Sequence, residues 1–173
     1  MKVILAPFST RLSTGSPNPK NPPSWFWPQV VLKLNALGHE VIQIGGVGED
    51  RIDGVVQCYV NWPLKALRLV IEDADCFLTV DSFLPHFVWA EKLNKRGVVV
   101  FSLSDPLIWG HPENINLLKG REYVREFQFQ DWLAPEYNAD AFVSPDEVVN
   151  AVTSILRPAD RTAPLRAGVS VAQ

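Results

Sequence analysis

Asp81-Ser82-Phe83-Leu84-Pro85-His86 holds the densest set of side chains able to handle an anion. It leaves an apolar run, Cys76 to Val80, that reads as a strand buried on both faces, and it enters a helix. At such a junction the first backbone N–H groups of the helix are free, and the helix dipole favours negative charge. Ser82 adds a hydroxyl donor, and His86 falls in the first turn, able to face the same anion. The plainer reading makes Asp81 and Ser82 helix caps and His86 a surface residue; the residues alone leave both open. Gly45-Gly46-Val47-Gly48-Glu49 also follows a strand but does not spell G-x-G-x-x-G. Its glycine pair lets backbone approach something closely, and Glu49 can accept hydrogen bonds from a ribose or base. The loop from Ser9 and Thr10 to Lys20 offers hydroxyls, a glycine and two cations, which suits a diphosphate and equally suits a solvated loop.

Other chemistries find less support. Asp73-Ala74-Asp75 resembles a metal-binding D-x-D but sits at the entry of a strand, so it reads as a helix end and turn. His39, His86 and His111 have no ligand spacing, and neither H-E-x-x-H nor C-x-x-C occurs, so no metal is expected. There is no G-x-S-x-G elbow and no Cys–His signature. Cys58 and Cys76 read as reduced, buried small hydrophobes of a cytoplasmic protein. A net charge of −3 gives no basic patch for nucleic acid, and no apolar run reaches the ~18–20 residues of a membrane helix. The opening Met1 to Pro7 is too short an apolar run for a signal peptide and reads as a first strand. Trp25, Trp27, Trp62, Trp89, Trp109 and Trp132 are expected in the core or at an interface.

These groups need a scaffold. The 173 residues, 47% apolar and 20% charged, suit one domain that needs neither disulfide nor metal for its core. Val3–Ala6 predicts a strand, Trp27-Pro28 a helix start, Gly38 its C′ position and Val41–Ile44 the next strand. Further strands are predicted at Val55–Val60, Cys76–Val80 and Val98–Phe101. Helices are predicted from Pro63, with Leu64, Leu67, Val70 and Ile71 on one face, and over Pro85–Asn94. Ser144-Pro145-Asp146-Glu147 spells a capping box before a last helix. The segment 105–139 gives no clear pattern. We expect a Rossmann-like α/β domain over residues 1–158 with a mostly parallel sheet, and a tail over 159–173. Ligands of such sheets bind beyond the strands' carboxyl ends, which directs attention to Phe8–Ser24, Gly45–Glu49, Asp81–His86 and Ser102–His111.

The order and spacing of these pieces resemble glycosyltransferase family 9, the heptosyltransferase-like enzymes. Trp27-Pro28 through Gly45-Gly46 looks like the start of that family's nucleotide-sugar-binding half. Pro63 to Asp75 resembles the helix before its signature strand. Asp81 to Ala90 resembles its D-[ST]-G-x-x-H-x-x-A-A, and Ser102-Leu103-Ser104-Asp105-Pro106 its G-x-T-x-P. The likeness covers roughly residues 1–115 and the last helix. It implies the C-terminal half of a GT-B glycosyltransferase, with Asp81, Ser82 and His86 at the diphosphate, Ser9 and Thr10 as the first-loop hydroxyls, and Glu49 near ribose or base. Phe83 stands where the family has a small residue, and Lys20 is the cation nearest to the family's missing lysine before Trp-Pro. The implied function is metal-independent glycosyl transfer from a nucleoside diphosphate sugar, with no cofactor. A homodimer or an acceptor-binding partner would supply the half that is absent here, and the catalytic base would come from that partner or from Asp105 or His111. Two alternatives remain: a non-catalytic nucleotide-binding or sensing module, and a nucleoside-processing hydrolase or deoxyribosyltransferase.

Overall fold

The computed structural model describes residues 1–10, 18–129 and 137–157. The expected tail, Arg11 to Pro17 and Trp132 lie outside the described residues.

Six parallel strands form one sheet in the order β3-β2-β1-β4-β5-β6. They are β1 (Lys2–Ala6), β2 (Glu40–Gly45), β3 (Gln57–Val60), β4 (Cys76–Val80), β5 (Gly97–Phe101) and β6 (Ile115–Leu118). The helices are α1 (Phe26–Ala36), α2 (Leu64–Asp73), α3 (Phe83–Ala90), the single turn α4 (Pro106–Trp109) and α5 (Pro145–Leu156). Alternation along β1 divides the core. Val3 and Leu5 face α1 and α5, while Ile4 and Ala6 face α2 and α3. Both faces are covered, so β4 and β5 are buried throughout and apolar except for Thr79, as the sequence predicts for central parallel strands.

Two positions show how local sequence serves this packing. Gly97 lies beside Phe77 in the β4–β5 register, and a Cβ there would meet the Phe77 ring at 2.2 Å. Gln43, fully buried on β2, accepts from Ile52 N–H at 2.8 Å and donates to Asp50 carbonyl at 2.9 Å. That amide satisfies two backbone groups of the β2–β3 connection, which has no helix to satisfy them itself.

The capping box forms as expected, with Ser144 Oγ accepting from Glu147 N–H and Ser144 N–H donating to Glu147. Gly38 stands at C′ of α1 with φ +78°. Other expectations need correction. Segment 105–139 contains α4 and the edge strand β6. β3 starts at Gln57 rather than Val55, and α3 spans Phe83–Ala90 rather than Pro85–Asn94. On α2, Leu67 and Ile71 are buried but Leu64 is exposed. Trp27 alone among the described tryptophans is fully buried, with its indole N–H on Pro7 carbonyl. Asp73 and Asp75 hold Lys2 through its ammonium and backbone N–H respectively. Among the described residues no helix is long and apolar enough to cross a membrane.

Candidate functional site

The chain leaves β1 toward β2 on one side and later returns to β4 on the other, so the sheet's switch point lies between the carboxyl ends of β1 and β4. The described parts of the segments that follow these two strands, 7–10, 18–21 and 81–86, form the mouth.

Two asparagines shape the first segment. Asn21 Oδ1 accepts from Ser9 N–H at 2.6 Å, and its amide donates to Ser9 carbonyl at 3.2 Å. Asn18, buried, donates to Thr10 carbonyl at 2.8 Å and to Ser9 Oγ at 3.2 Å, and accepts from Lys20 N–H at 2.9 Å. Ser102 Oγ, at the end of β5, ties the same segment down by donating to Pro19 carbonyl. These bonds deliver Lys20 to β4. Its Nζ lies 2.7 Å from Asp81 Oδ2, with side-chain exposures of 28% and 6%. The contact is an ion pair, and Asp81 Oδ2 has no hydrogen bond among the described residues. Although Lys20 lies well upstream of Trp27-Pro28, its ammonium reaches the mouth.

Ser82 is the N-cap of α3 but does not cap it with its side chain. The hydroxyl lies 3.1 Å from Thr79 Oγ1, a fully buried group that itself donates to the Ala6 carbonyl of β1. Among the described residues the first-turn N–H groups of Phe83 and Leu84 therefore have no side-chain acceptor, and Pro85 has no N–H to offer. The Phe83 ring leans along the helix toward Phe87, with centroids 6.3 Å apart.

Glu49 lies one strand further out. Its carboxylate folds back over the glycine pair. A Cβ on Gly45 would meet Oε2 at 2.3 Å, and one on Gly46 would meet Oε1 at 3.3 Å. The close approach that the pair permits is thus to Glu49 itself. Burial pushes the Glu49 carboxyl above its ordinary range, against a smaller opposing effect of Gly46 backbone.

His86 is exposed on α3, and its Nδ1 lies 2.9 Å from His111 Nε2. The His111 ring stacks on Trp89 at 5.5 Å and 24°. Burial holds His111 below the usual imidazole value, with His86 acting in the same direction and Glu113 against it. His39 lies at the other end of the sheet, just before β2.

Asp105 caps α4 by accepting from Leu107 N–H at 2.9 Å, and it takes Arg121 on both oxygens at 3.3 and 2.6 Å. The Arg121 guanidinium and the Leu107 N–H hold its carboxyl below the ordinary range. Buried Gln128 braces this corner, accepting from Asp105 N–H and Trp109 Nε1 and donating to Leu103 and Arg125 carbonyls.

The structure therefore brings Lys20, Asp81 and Ser82 together beside the Ser9–Thr10 segment. Glu49 contacts its own glycines, His86 contacts His111, and Asp105 contacts Arg121. Sequence reasoning missed Asn18, Asn21, Arg121, Gln128 and the His86–His111 contact. Only the two asparagines left a signal, each directly preceding a proline. A groove of about 570 Å³ opens elsewhere, at the amino ends of β1 and β2 beside α2, and touches none of these residues.

No family model and no curated protein matches the chain. Solved structures do. A glycosyl transferase of family 9 from Veillonella parvula superposes with a TM-score of 0.68 at 15% identity, covering 89% of this chain and 45% of that one. The E. coli ADP-heptose LPS heptosyltransferase II gives 0.61 at 16%, covering 90% and 46%. The dodecameric iron-containing glycosyltransferase TibC of E. coli gives 0.65 at 15%, covering 94% and 48%. The chain thus has the α/β, Rossmann-like fold found in these GT-B glycosyltransferases and spans about half the length of each.

Proposed function

We propose that this chain binds a nucleoside diphosphate sugar at the β1–β4 mouth and serves metal-independent glycosyl transfer, with a second copy or an acceptor-binding partner closing the site. The observation that carries this reading is Lys20 held on Asp81 beside the first turn of α3, whose N–H groups have no capping side chain. In the transfer, an acceptor oxygen bonds to the anomeric carbon as that carbon's bond to the diphosphate breaks. The electron pair leaves with the nucleoside diphosphate, and the acceptor proton passes to a base. Lys20, the Phe83 and Leu84 N–H groups and His86 stabilise the charge developing on the leaving group. Ser9 and Thr10 hydrogen-bond the diphosphate, Ser82 joins them by turning its hydroxyl away from Thr79, and Glu49 over Gly45 and Gly46 takes the ribose or base. Asp81 holds Lys20 in place until the anion arrives.

The need for closure rests on the apolar rim of this end. Phe83, Trp89, Leu107 and Ile108 are exposed on the two helices, α3 and α4, that follow β4 and β5. A second reading, a nucleotide-binding module without turnover, is favoured by Asp105, whose carboxylate is committed to Arg121 and to the α4 cap.

Calorimetry against nucleotide sugars tests binding. ADP and ADP-heptose come first, because similar structures contain ADP or ADP-D-beta-D-heptose. Absence of heat and of any thermal shift at millimolar ligand would refute the proposal. Binding without release of nucleoside diphosphate, with acceptor panels present, would select the second reading. Light scattering across micromolar concentrations, with and without nucleotide, reads the partner requirement.

A further inference from the structure

We infer that His111 is a positioning residue for His86: its ring N–H donates to His86 Nδ1 and so fixes the tautomer in which His86 Nε2–H faces outward to an anion. This rests on the reading that the mouth binds a diphosphate, and it adds a residue outside the signature segment.

The geometry is that of a built contact. His111 follows α4, on the connection to β6, 25 residues beyond His86 in the chain. Its carbonyl is held by Asn116 Nδ2 at 3.0 Å and by Asn114 N–H at 3.1 Å, so its backbone is anchored at the start of β6. Its ring meets two residues of α3 that share one helix face, stacking on Trp89 and approaching His86 Nδ1 at 2.9 Å. At that separation one nitrogen carries the hydrogen and the other accepts it. If His86 donated, its neutral ring would turn a bare lone pair on Nε2 toward the ligand, which repels phosphate oxygens. If His111 donates, neutral His86 carries its hydrogen on Nε2, the nitrogen that has no protein partner among the described residues. Only this second arrangement suits an anion without charging either ring. The charged groups around the pair fit a neutral His111. Burial and the adjacent imidazole disfavour its cation, and Glu113 is the single acid that opposes them. At the C-cap of α3, Glu91 is already paired with Arg68.

Two measurements test this, one of which needs no ligand. Nitrogen-15 spectra of the imidazoles in the free full-length protein above pH 7.5 read the tautomer of each ring. The expected result is one dominant Nε2–H form for His86 in the native chain, relaxing to a mixture in His111→Ala. His111→Gln, whose amide nitrogen takes roughly the place of Nε2 and can donate, should restore the single form. A mixed His86 tautomer in the native protein, or no change on His111→Ala, overturns the inference whether or not nucleotide binds. The second measurement is ADP affinity by calorimetry. His111→Ala should weaken binding about three- to tenfold, the size expected for one neutral hydrogen bond. His111→Gln should regain most of that loss. In a His86→Ala background the same substitution should change affinity by less than about twofold. Equal losses in both backgrounds would make His111 a structural prop and refute the positioning role. A native protein that does not bind ADP or any nucleotide sugar refutes the binding reading instead, and the spectra still decide the tautomer.

Discussion

Lys20→Ala isolates the ion pair on which the mouth is built. The two charges are 2.7 Å apart, and the Asp81 side chain is 6% exposed. At an effective dielectric of ~20 the gross attraction is on the order of 6 kcal/mol. Most of it is offset by desolvation, because Asp81 has left water almost entirely while Lys20 remains about one quarter exposed. Removing the ammonium leaves a nearly buried carboxylate without its cation. A fully buried pair broken in this way costs ~3–5 kcal/mol, and water entering from the Lys20 side reduces the figure here to about 1–3 kcal/mol. Urea unfolding with an unchanged slope should show this loss, together with a Tm drop of roughly 2–12 °C. Lys20→Ala/Asp81→Asn removes both charges and should recover most of the stability, yet should still bind ADP more weakly than the native protein. A single variant within ~0.5 kcal/mol of native, or a double variant no better than the single, would show that Asp81 does not depend on Lys20.

Gly97→Ala places a methyl against the fully buried Phe77 ring and should cost about 1–3 kcal/mol in urea unfolding, while Phe77→Leu in the same background should recover part of it. Glu49→Gln should stabilise the free protein slightly above the ordinary carboxylate range. Burial has raised this group's pKa, so its charge opposes folding as pH rises, and the glutamine removes that opposition while weakening nucleotide binding. Asp105 has the opposite sign: its lowered pKa stabilises the fold above the ordinary Asp value, and that contribution is lost as pH falls through the folded value. Arg121→Ala should therefore flatten the acid limb of a stability–pH curve and leave a smaller loss at pH 7 than Lys20→Ala, because Arg121 is largely exposed.

The central strands were legible because burial on both faces favours apolar residues, and Cys76–Val80, broken only by Thr79, and Val98–Phe101 supply them. β6 was not, because Ile-Asn-Leu-Leu is four half-buried residues on an edge, within a stretch punctuated by prolines. The switch-point mouth followed from the alternation of strands and helices, and with it the choice of Asp81 and Ser82 as candidates. The role of the Ser82 hydroxyl did not follow. A serine before a helix suggests a cap, but buried Thr79 three residues earlier offers a competing partner. The glycine pair correctly implied a close approach, while the approaching atom belonged to Glu49, four residues past Gly45. His86 and His111 stand apart in the chain, and only the turn of the chain from β5 to β6 sets them side by side.

The mouth also has a history within each folding event. The bonds that join its two sides, Thr79 to Ala6 and Ser102 to Pro19, close loops of 73 and 83 residues. β1 pairs first in sequence with β2, and its other edge must wait for β4 to be synthesised. A nascent chain that ends after β3 has an open apolar edge and no β1–β4 mouth. Such long-range closures form late and at high entropic cost, so the site appears only as the domain completes. A nucleotide seated across β1 and β4 would act as a clasp on the last seam to shut. Its effect should fall on the rate at which the seam reopens, lengthening the native lifetime while leaving the rate of folding almost unchanged.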